Sequence, residues 1–319
     1  AMMSMPAISL APHATPLDEL VRLRDSLGGA NLPRLFMKRD DLLSFGFGGN
    51  KVRKLQTVIA EAQAAGAHTL ITCGGLQSKH ARATAAAGAA LGLRVVLVLN
   101  GEKPATPVAN TPLDLLLGAD VRYAPGREAR VPAMHAVPDE ERRAGRRPAI
   151  VPIGASTGRG ALGFARGIAE ILAAGLKPQV IVHSSSSGGT QAGLMAGCRL
   201  FGLATKVIGV SADESEPTLR VVVGDLIGEM AARLGTRPEL LGATEIDVDD
   251  SQVGGGYGIA TPASTEAMEM VARREGILLD PVYTAKAMAG LIARLRAGAF
   301  SSGTTVLFWH TGGQVGFFA

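Results

Sequence analysis

The chain has 319 residues, of which 47% are hydrophobic and 19% charged, and its net charge is +4. This composition excludes an intrinsically disordered chain and provides enough length for about two domains. Aromatic residues make up only 4% of the sequence, which disfavours a protein that stacks nucleic-acid bases.

Short β-branched runs, each followed by a Gly-rich turn and an Ala-rich helix, recur along the chain. Strands are predicted at 69–72, 95–99, 149–151, 180–182, 206–210 and 305–308. Helices are predicted from the turn after Gly75 to about Leu91, and at 113–117, 162–174 and 190–200. Nearly continuous apolar strands that alternate with helices are typical of parallel sheets covered on both faces. The sequence therefore predicts an α/β fold that binds its ligand at the carboxyl ends of the strands.

The cysteine spacing, the N-terminal residues and the distribution of charge exclude further classes of protein. Cys73 and Cys198 are far apart and no histidine lies at zinc spacing, so neither a disulfide framework nor a metal site is predicted. Residues 1–5 lack the basic segment of a signal peptide, and the uncharged stretches 178–198 and 301–319 are too polar to span lipid. We expect a cytoplasmic protein without nucleic-acid or membrane partners. The Arg-containing stretch 121–150 is interpreted as a solvated loop and helix, with an anion- or partner-binding surface as the alternative.

The segment 184–193, Ser-Ser-Ser-Ser-Gly-Gly-Thr-Gln-Ala-Gly, follows the strand predicted at 180–182. Its glycines let the backbone approach a ligand, and free amides at the start of a helix point at an anion. The hydroxyls of Ser187 and Thr190 add hydrogen bonds. The segment fits neither the triphosphate nor the dinucleotide motif, so we predict a phosphate site, with a plain strand–helix turn as the alternative.

Two further motifs precede this loop in the chain. In Gly-Gly-Asn-Lys-Val-Arg-Lys-Leu-Gln (48–56), Asn50 is predicted to cap a helix whose first turn places Lys51 and Lys54 on one face. The helix dipole lowers the pKa of a lysine there, as Schiff-base chemistry requires. A solvated basic helix start is the alternative. In Gly-Gly-Leu-Gln-Ser-Lys-His (74–80), the amides and Ser78 suit a carboxylate, although this motif is weak by itself.

Together with Leu-Asp-Pro-Val-Tyr-Thr-Ala-Lys-Ala-Met-Ala-Gly (279–290) and His-Thr-Gly-Gly (310–313), these motifs give a specific pattern. From about Thr15 to the C-terminus, the sequence resembles the D-cysteine desulfhydrase and aminocyclopropane-carboxylate deaminase family. These are pyridoxal-phosphate enzymes of the tryptophan-synthase-β fold type. The resemblance implies two open parallel-sheet domains with flanking helices, a large one at 1–50 plus 158–319 and a small one at 51–157, and a homodimer.

The resemblance also implies the site. Lys51 would bind pyridoxal 5'-phosphate through a Schiff base. Other cofactor contacts would come from Asn50, Lys54, Lys79, Ser187, Gly188, Gly189, Thr190 and Thr311. The substrate would meet Gly75, Gln77, Ser78 and Thr284, and catalysis would use Lys51, Ser78, Tyr257 and Tyr283. His80 is predicted to lie on a helix surface or at a cap.

Thr284 and Thr311 stand where the family's ring-opening deaminases tend to carry Glu and Leu. A hydroxyl beside the pyridine nitrogen makes a weaker electron sink than a carboxylate does, and β-elimination tolerates a weaker sink. The resemblance therefore implies a lyase that converts D-cysteine to pyruvate, ammonia and hydrogen sulfide. Lys79 stands where the family usually has an asparagine. Its amine either replaces the hydrogen bond of that asparagine to the cofactor, or it binds a second negative charge on a substrate such as L-cysteate. Aminocyclopropane-carboxylate deamination and non-catalytic phosphate binding remain further alternatives.

Overall fold

The computed structural model describes residues 6–319, so the expectation about residues 1–5 lies outside the described residues. Within that range the strands are β1 (Leu17–Glu19), β2 (Arg34–Arg39), β3 (Thr69–Gly75), β4 (Arg94–Asn100), β5 (Asp120–Ala124), β6 (Pro148–Ile150), β7 (Val180–Ser185), β8 (Lys206–Ser211), β9 (Asp247–Asp249) and β10 (Thr305–His310).

The α-helices alternate with these strands. They are α1 (Val21–Leu27), α2 (Lys51–Ala64), α3 (Lys79–Leu91), α4 (Asn110–Leu116), α5 (Arg130–Arg143), α6 (Gly158–Ala173), α7 (Gly189–Leu200), α8 (Glu216–Leu234), α9 (Pro262–Glu275) and α10 (Thr284–Arg296). No helix in residues 6–319 combines the length and the hydropathy needed to cross a bilayer.

The strands form two sheets. The larger has the order β1-β2-β10-β7-β8-β9 and the smaller has the order β5-β4-β3-β6. All neighbouring pairs are parallel except β1, which runs antiparallel to β2 at the edge of the larger sheet. The predicted α/β fold of parallel sheets with flanking helices is confirmed, and the antiparallel edge strand is a feature that the sequence did not predict.

Glycines let the helices α2, α6 and α7 pack so closely that their backbones are in contact. A Cβ atom on Gly163 of α6 would collide with the carbonyl of Arg53 on α2, and one on Gly193 of α7 would collide with the carbonyl of Ala161 on α6. No side chain larger than hydrogen fits between these backbones. These glycines therefore set the spacing of α2, α6 and α7.

Helix α2 joins the two sheets. Its apolar residues Val52 and Leu55 are fully buried in the core of the smaller sheet, while its opposite side packs against α6 of the larger one. Since α2 contacts elements of both sheets, the domain boundaries at residues 50 and 157 stay a prediction.

A buried ion cluster anchors α2 to the larger sheet. Arg53 donates to Asp40 at 2.7 Å and to Glu170 at 2.6 Å. Asp40 is fully buried and also accepts a 2.7 Å hydrogen bond from the indole of Trp309 on β10. The neighbouring Asp40 carboxylate raises the pKa of Arg53 and Arg53 lowers that of Asp40, so both stay charged. Arg53 lies two residues after Lys51 on α2.

Candidate active site

A cavity of about 580 Å³ lies at the carboxyl ends of strands from both sheets. The smaller sheet contributes Gly75 at the end of β3 and Ser78 at the start of α3, and the larger contributes Ser187 after β7. A narrower pocket shares Ser186, Ser187 and Tyr283 with this cavity. The other residues that line it are Asn50, Lys51, Lys79, Ser184, Ser185, Gly188 and Thr190. These side chains come together at the carboxyl ends of the strands, where the sequence predicted a ligand site.

Lys51 is the first residue of α2 and its amine lies in the interior. Burial, followed by the charge of Lys79, lowers the pKa of Lys51 to about 7. The lowered pKa fits the prediction, but its main causes are burial and a neighbouring lysine rather than the helix dipole. A Cβ atom on Gly154 would lie 3.1 Å from the Lys51 amine and 2.6 Å from the Ser187 hydroxyl, so Gly154 keeps this space open.

Lys54 lies one helical turn further along α2 and is fully buried. Its amine donates a 2.9 Å hydrogen bond to the hydroxyl of Ser156, which lies 2.8 Å from the hydroxyl of Ser187. Burial and the charge of Lys51 hold the pKa of Lys54 well below its usual range. No carboxylate within residues 6–319 forms an ion pair with either lysine. Two amines without a carboxylate partner and two hydroxyls therefore line this corner of the pocket, and together they supply the hydrogen-bond donors that an anion site requires.

The predicted phosphate loop leads directly into α7. Gly188 has a left-handed φ of 72°, and Gly189 begins the helix. A Cβ atom on Gly189 would lie 2.7 Å from the Ser156 hydroxyl and 3.1 Å from the Lys54 amine, so only glycine leaves room for a ligand there. The amides at the start of α7, Lys54 and Ser156 therefore surround one space.

Asn50 does not cap α2 with its side chain, which corrects the predicted capping role. Its Nδ2 instead donates a 2.9 Å hydrogen bond to the Thr190 hydroxyl. Its Oδ1 is buried, with no hydrogen-bond partner in the described part of the chain. A buried acceptor without a donor is costly, so this oxygen is suited to a ligand group that donates a hydrogen bond.

Lys79 is buried beneath Tyr283, with its amine 4.5 Å from the centre of that ring. The amine donates to the carbonyls of Thr311 at 3.3 Å and Gly312 at 3.4 Å. Burial lowers the pKa of Lys79 to about 8, against the opposing charge of Asp280. Lys79 lines the narrower pocket and not the large cavity, so it lies on the side predicted for the cofactor.

Thr311 follows β10 and is fully buried. Its hydroxyl lies 3.1 Å from the hydroxyl of Ser184, at the end of β7. Ser184 lines the narrower pocket, so its hydroxyl can donate or accept a hydrogen bond there, and Thr311 lies directly behind it.

Tyr257 and Tyr283 form a pair in the wall of the cavity. Their hydroxyls are 2.7 Å apart and their rings pack edge to face. Burial raises the pKa of both phenols, most strongly that of Tyr283, so both are protonated at neutral pH. Asp280 fixes the backbone before α10 by accepting from the amide of Tyr283 at 2.9 Å. The structure thus brings together the two tyrosines that the resemblance implied for the site.

Thr284 is a structural residue, and the prediction that it binds substrate is wrong for this geometry. It is fully buried and its hydroxyl donates to Asp280 at 2.7 Å, within the turn that begins α10. It lines neither the large cavity nor the narrower pocket. Its contribution is to hold the turn that presents Tyr283.

The motif at 74–80 behaves partly as predicted. Ser78 caps α3 by accepting from the amide of Ala81 at 3.2 Å, and its hydroxyl faces the cavity with Gly75. The Gln77 side chain points the other way: its amide donates to the carbonyl of Val108, and its oxygen accepts from the amide of Asn110 at 2.9 Å. The substrate contact predicted for the Gln77 side chain is therefore not formed.

His80 is also placed differently from its predicted position on a helix surface. It is buried, and its Nε2 lies 2.8 Å from the hydroxyl of Thr72 on β3. Burial and the charges of Lys51 and Lys54 hold the pKa of His80 well below its usual range, so its ring is neutral.

Sequence reasoning missed Asp213, which follows β8 and lines the cavity. Its side chain is 3% exposed and lies 3.2 Å from the guanidinium of Arg127. The other carboxylate oxygen is buried without a partner within residues 6–319. The sequence did carry a signal for Asp213, because an acidic residue soon follows a buried strand at the ligand-binding edge.

Arg127 also forms an ion pair with Glu214 at 3.1 Å and so joins the Arg-containing stretch to the larger sheet across the mouth of the cavity.

Comparison with known proteins agrees with this geometry. Residues 8–312 match the family model "Pyridoxal-phosphate dependent enzyme". The chain is 37% identical over 322 residues to a D-cysteine desulfhydrase of Yersinia pestis (strain Pestoides F), which covers 98% of this chain and 96% of the relative. It is 35% identical over 332 residues to a D-cysteine desulfhydrase of Salmonella typhi, with the same coverage.

Solved structures show the same similarity. A crystal structure titled as an ACC deaminase homologue superimposes with a TM-score of 0.91 at 33% identity, covering 99% of this chain and 94% of that one. A fungal L-serine ammonia-lyase from Rhizomucor miehei superimposes with a TM-score of 0.70 at 16% identity, covering 96% and 95%. At that identity the second likeness concerns the fold alone.

Proposed function

Because this chain belongs to the pyridoxal-phosphate dependent enzymes, we propose that it is a lyase that breaks D-cysteine into pyruvate, ammonia and hydrogen sulfide. The observation that carries this proposal is a pair of lysines, the half-buried Lys51 and the fully buried Lys54, which have no ion-pair partner within residues 6–319. Such a pair suits one amine that reacts as a free base and one that holds an anion. The relatives named above as D-cysteine desulfhydrases support the choice of substrate.

The residues present fit the cofactor. We propose that its phosphate is held by the amides at the start of α7, by Lys54, and by the hydroxyls of Ser156 and Ser187. The space beside Gly189 and the chain of hydrogen bonds from Lys54 to Ser187 support this assignment. We assign the remaining cofactor contacts to Asn50, Lys79, Gly188, Thr190 and Thr311.

The bound cofactor supplies an electron sink that stabilises negative charge at the substrate α-carbon. The chain supplies the rest. We propose that Gly75 and Ser78 hold the substrate carboxylate, because they line the large cavity at the start of α3. Lys51, with a pKa of about 7, is half neutral at pH 7 and accepts the α-proton.

The leaving sulfur then needs a proton. We propose that the Tyr257–Tyr283 pair donates it, because both phenols keep their protons at neutral pH and their hydroxyls are 2.7 Å apart. The Cβ–S bond breaks, sulfur leaves as hydrogen sulfide, and the released enamine takes up water to give pyruvate and ammonia. The α-proton on Lys51 returns to the phenol through solvent, so atoms and charge balance.

A Lys51→Ala variant tests the central assignment. We expect it to lose both turnover and the borohydride-reducible visible chromophore of the purified enzyme, while Lys177→Ala, a change at an exposed lysine, keeps both. If Lys51→Ala retained the reducible chromophore and full turnover, the assignment would be wrong.

A substrate screen tests the reaction itself. D-cysteine, L-cysteine, β-chloroalanine, L-cysteate and aminocyclopropane carboxylate are supplied in turn, and pyruvate or 2-oxobutyrate is measured. We expect D-cysteine to give the highest kcat/KM. Sulfite release from L-cysteate at a higher kcat/KM would transfer the proposal to a sulfo-lyase, and 2-oxobutyrate as the main product would transfer it to a deaminase. A colourless protein that does not respond to pyridoxal phosphate would favour plain phosphate-ligand binding.

We also propose that the enzyme is a cytoplasmic homodimer with a large domain at 1–50 plus 158–319 and a small one at 51–157. The family resemblance supports the homodimer and the cytoplasmic location. The two separate sheets support the division into domains. Sedimentation of the purified enzyme tests the dimer.

A further inference from the structure

The buried ammonium of Lys286 has no part in the mechanism described so far. Lys286 is the third residue of α10 and is fully buried. Its amine donates to the carbonyls of Ala212 at 3.1 Å, Val253 at 2.8 Å and Gly256 at 2.8 Å. Three acceptors use all three N–H donors of an ammonium group. Every hydrogen bond of this amine is therefore made to the backbone.

The position is an unfavourable one for a cation. The first turn of a helix presents its positive end, and lysine is almost never fully buried unless it is paired. The ion pairs within residues 6–319 do not include Lys286, and burial lowers its pKa against the opposing charge of Asp213. A residue that only filled the core would be apolar, so the reason for the lysine lies in the carbonyls that it binds.

Two of those carbonyls belong to the segment 253–258, Val-Gly-Gly-Gly-Tyr-Gly. Gly254, Gly256 and Gly258 have left-handed φ values of 61°, 119° and 75°. Glycine loses the most conformational freedom on folding, so this segment needs an external contact to keep one conformation. Tyr257 directly follows Gly256, and the third carbonyl, that of Ala212, directly precedes Asp213.

We propose that Lys286 is a positioning residue, an internal cation that fixes the segment 253–258 against the end of β8 and so keeps Tyr257 in place beside Tyr283. One amine thereby orders two residues of the cavity wall, Tyr257 and Asp213. The consequence for catalysis rests on the function proposed above. The ordering of the segment does not.

Hydrogen exchange tests the ordering without any substrate. The holoenzyme is compared with its Lys286→Met variant, which has similar side-chain length and no charge, and with Lys177→Met at an exposed position as the control. We expect amides of residues 251–259 to exchange at least tenfold faster in Lys286→Met only, with β7 and α7 unchanged. Equal exchange of that segment in all three proteins would overturn the proposal.

Rescue by a small amine provides a second test. Lys286→Ala removes three carbons and the amine of the side chain, and n-propylammonium has the same number of carbons and the same amine. We expect n-propylammonium to restore slow exchange of residues 251–259 in this variant, and tetramethylammonium, which has no N–H donor, to have no effect. Restoration by both cations alike, or by neither, would refute an ammonium that acts by hydrogen bonds to these carbonyls.

Kinetics connect Lys286 to Tyr257. With D-cysteine as substrate, we expect Lys286→Met to lower kcat about tenfold with little change in KM. Adding Tyr257→Phe to that variant should lower kcat less than twofold further, because the tyrosine is already misplaced. Multiplicative losses would show that Lys286 does not act through Tyr257. If D-cysteine is not the substrate, the wild-type enzyme is inactive too, and the exchange experiments still decide the role of Lys286.

Discussion

The charge of Lys79 controls how much of Lys51 is available as a free amine. With a pKa of about 7, half of Lys51 is neutral at pH 7, whereas a lysine with a pKa of 10.5 is neutral in about one molecule in 3,000. Lys79 is the second cause of this shift, after burial. Lys79→Met removes a like charge from the pocket and raises the pKa of Lys51 by about one unit, so the neutral fraction at pH 7 falls to about a tenth.

The assay is capture of the cofactor by the apoenzyme. Apoenzyme is mixed with excess pyridoxal phosphate between pH 6 and pH 10, and the rate is followed by visible absorbance. We expect the midpoint of the rate profile to move from about pH 7 to about pH 8 in Lys79→Met, with a fivefold slower rate at pH 7 and equal rates near pH 10. Lys177→Met is the control. An unmoved midpoint, or one displaced to lower pH, would refute the electrostatic reasoning.

Three further changes test the surroundings of the site. Arg53→Met leaves Asp40 buried without its partner and should lower the free energy of unfolding by about 3–5 kcal/mol in urea denaturation, so a loss below 1 kcal/mol would contradict a tightly coupled cluster. Gly189→Ala fills the space proposed for the phosphate and should weaken cofactor binding at least tenfold by absorbance titration; unchanged affinity would move the phosphate elsewhere. Gln77→Ala should leave KM within twofold, whereas Ser78→Ala should raise it, and the reverse order would restore the side-chain role predicted for Gln77.

The sequence predicted the features that depend on local pattern. The strands before Ser184 and Cys73, the start of α2 at Lys51 and the loop into α7 all follow from short runs of neighbouring residues. The edge position of β1 was missed because a three-residue strand carries almost no periodic signal. The assignment of Tyr257 and Tyr283 to the site came from the resemblance and not from any pattern in the chain, and their contact with each other was not predicted.

The directions of several side chains could not be predicted, because they depend on residues that are distant in the sequence. Gln77 turns away because Asn110, 33 residues later, offers its backbone amide. Asp213 faces Arg127 from 86 residues away, and no local rule connects them. Thr284 is different, because Asp280 lies only four residues before it and accepts from three successive amides. An Asp-Pro start before a helix is a local signal, and it indicates a structural hydroxyl at Thr284.

The bridge from Arg127 to Asp213 and Glu214 has a consequence for access to the cavity. Arg127 is 53% exposed and Glu214 is 37% exposed, and such an exposed ion pair contributes only about 0–1 kcal/mol. Dissolved ions screen this contact over about 8–10 Å, whereas the pair with Asp213, which is 3% exposed, is screened less. Entry of a small amino acid should thus become easier as ionic strength rises, while the buried contacts around Lys51 stay unchanged.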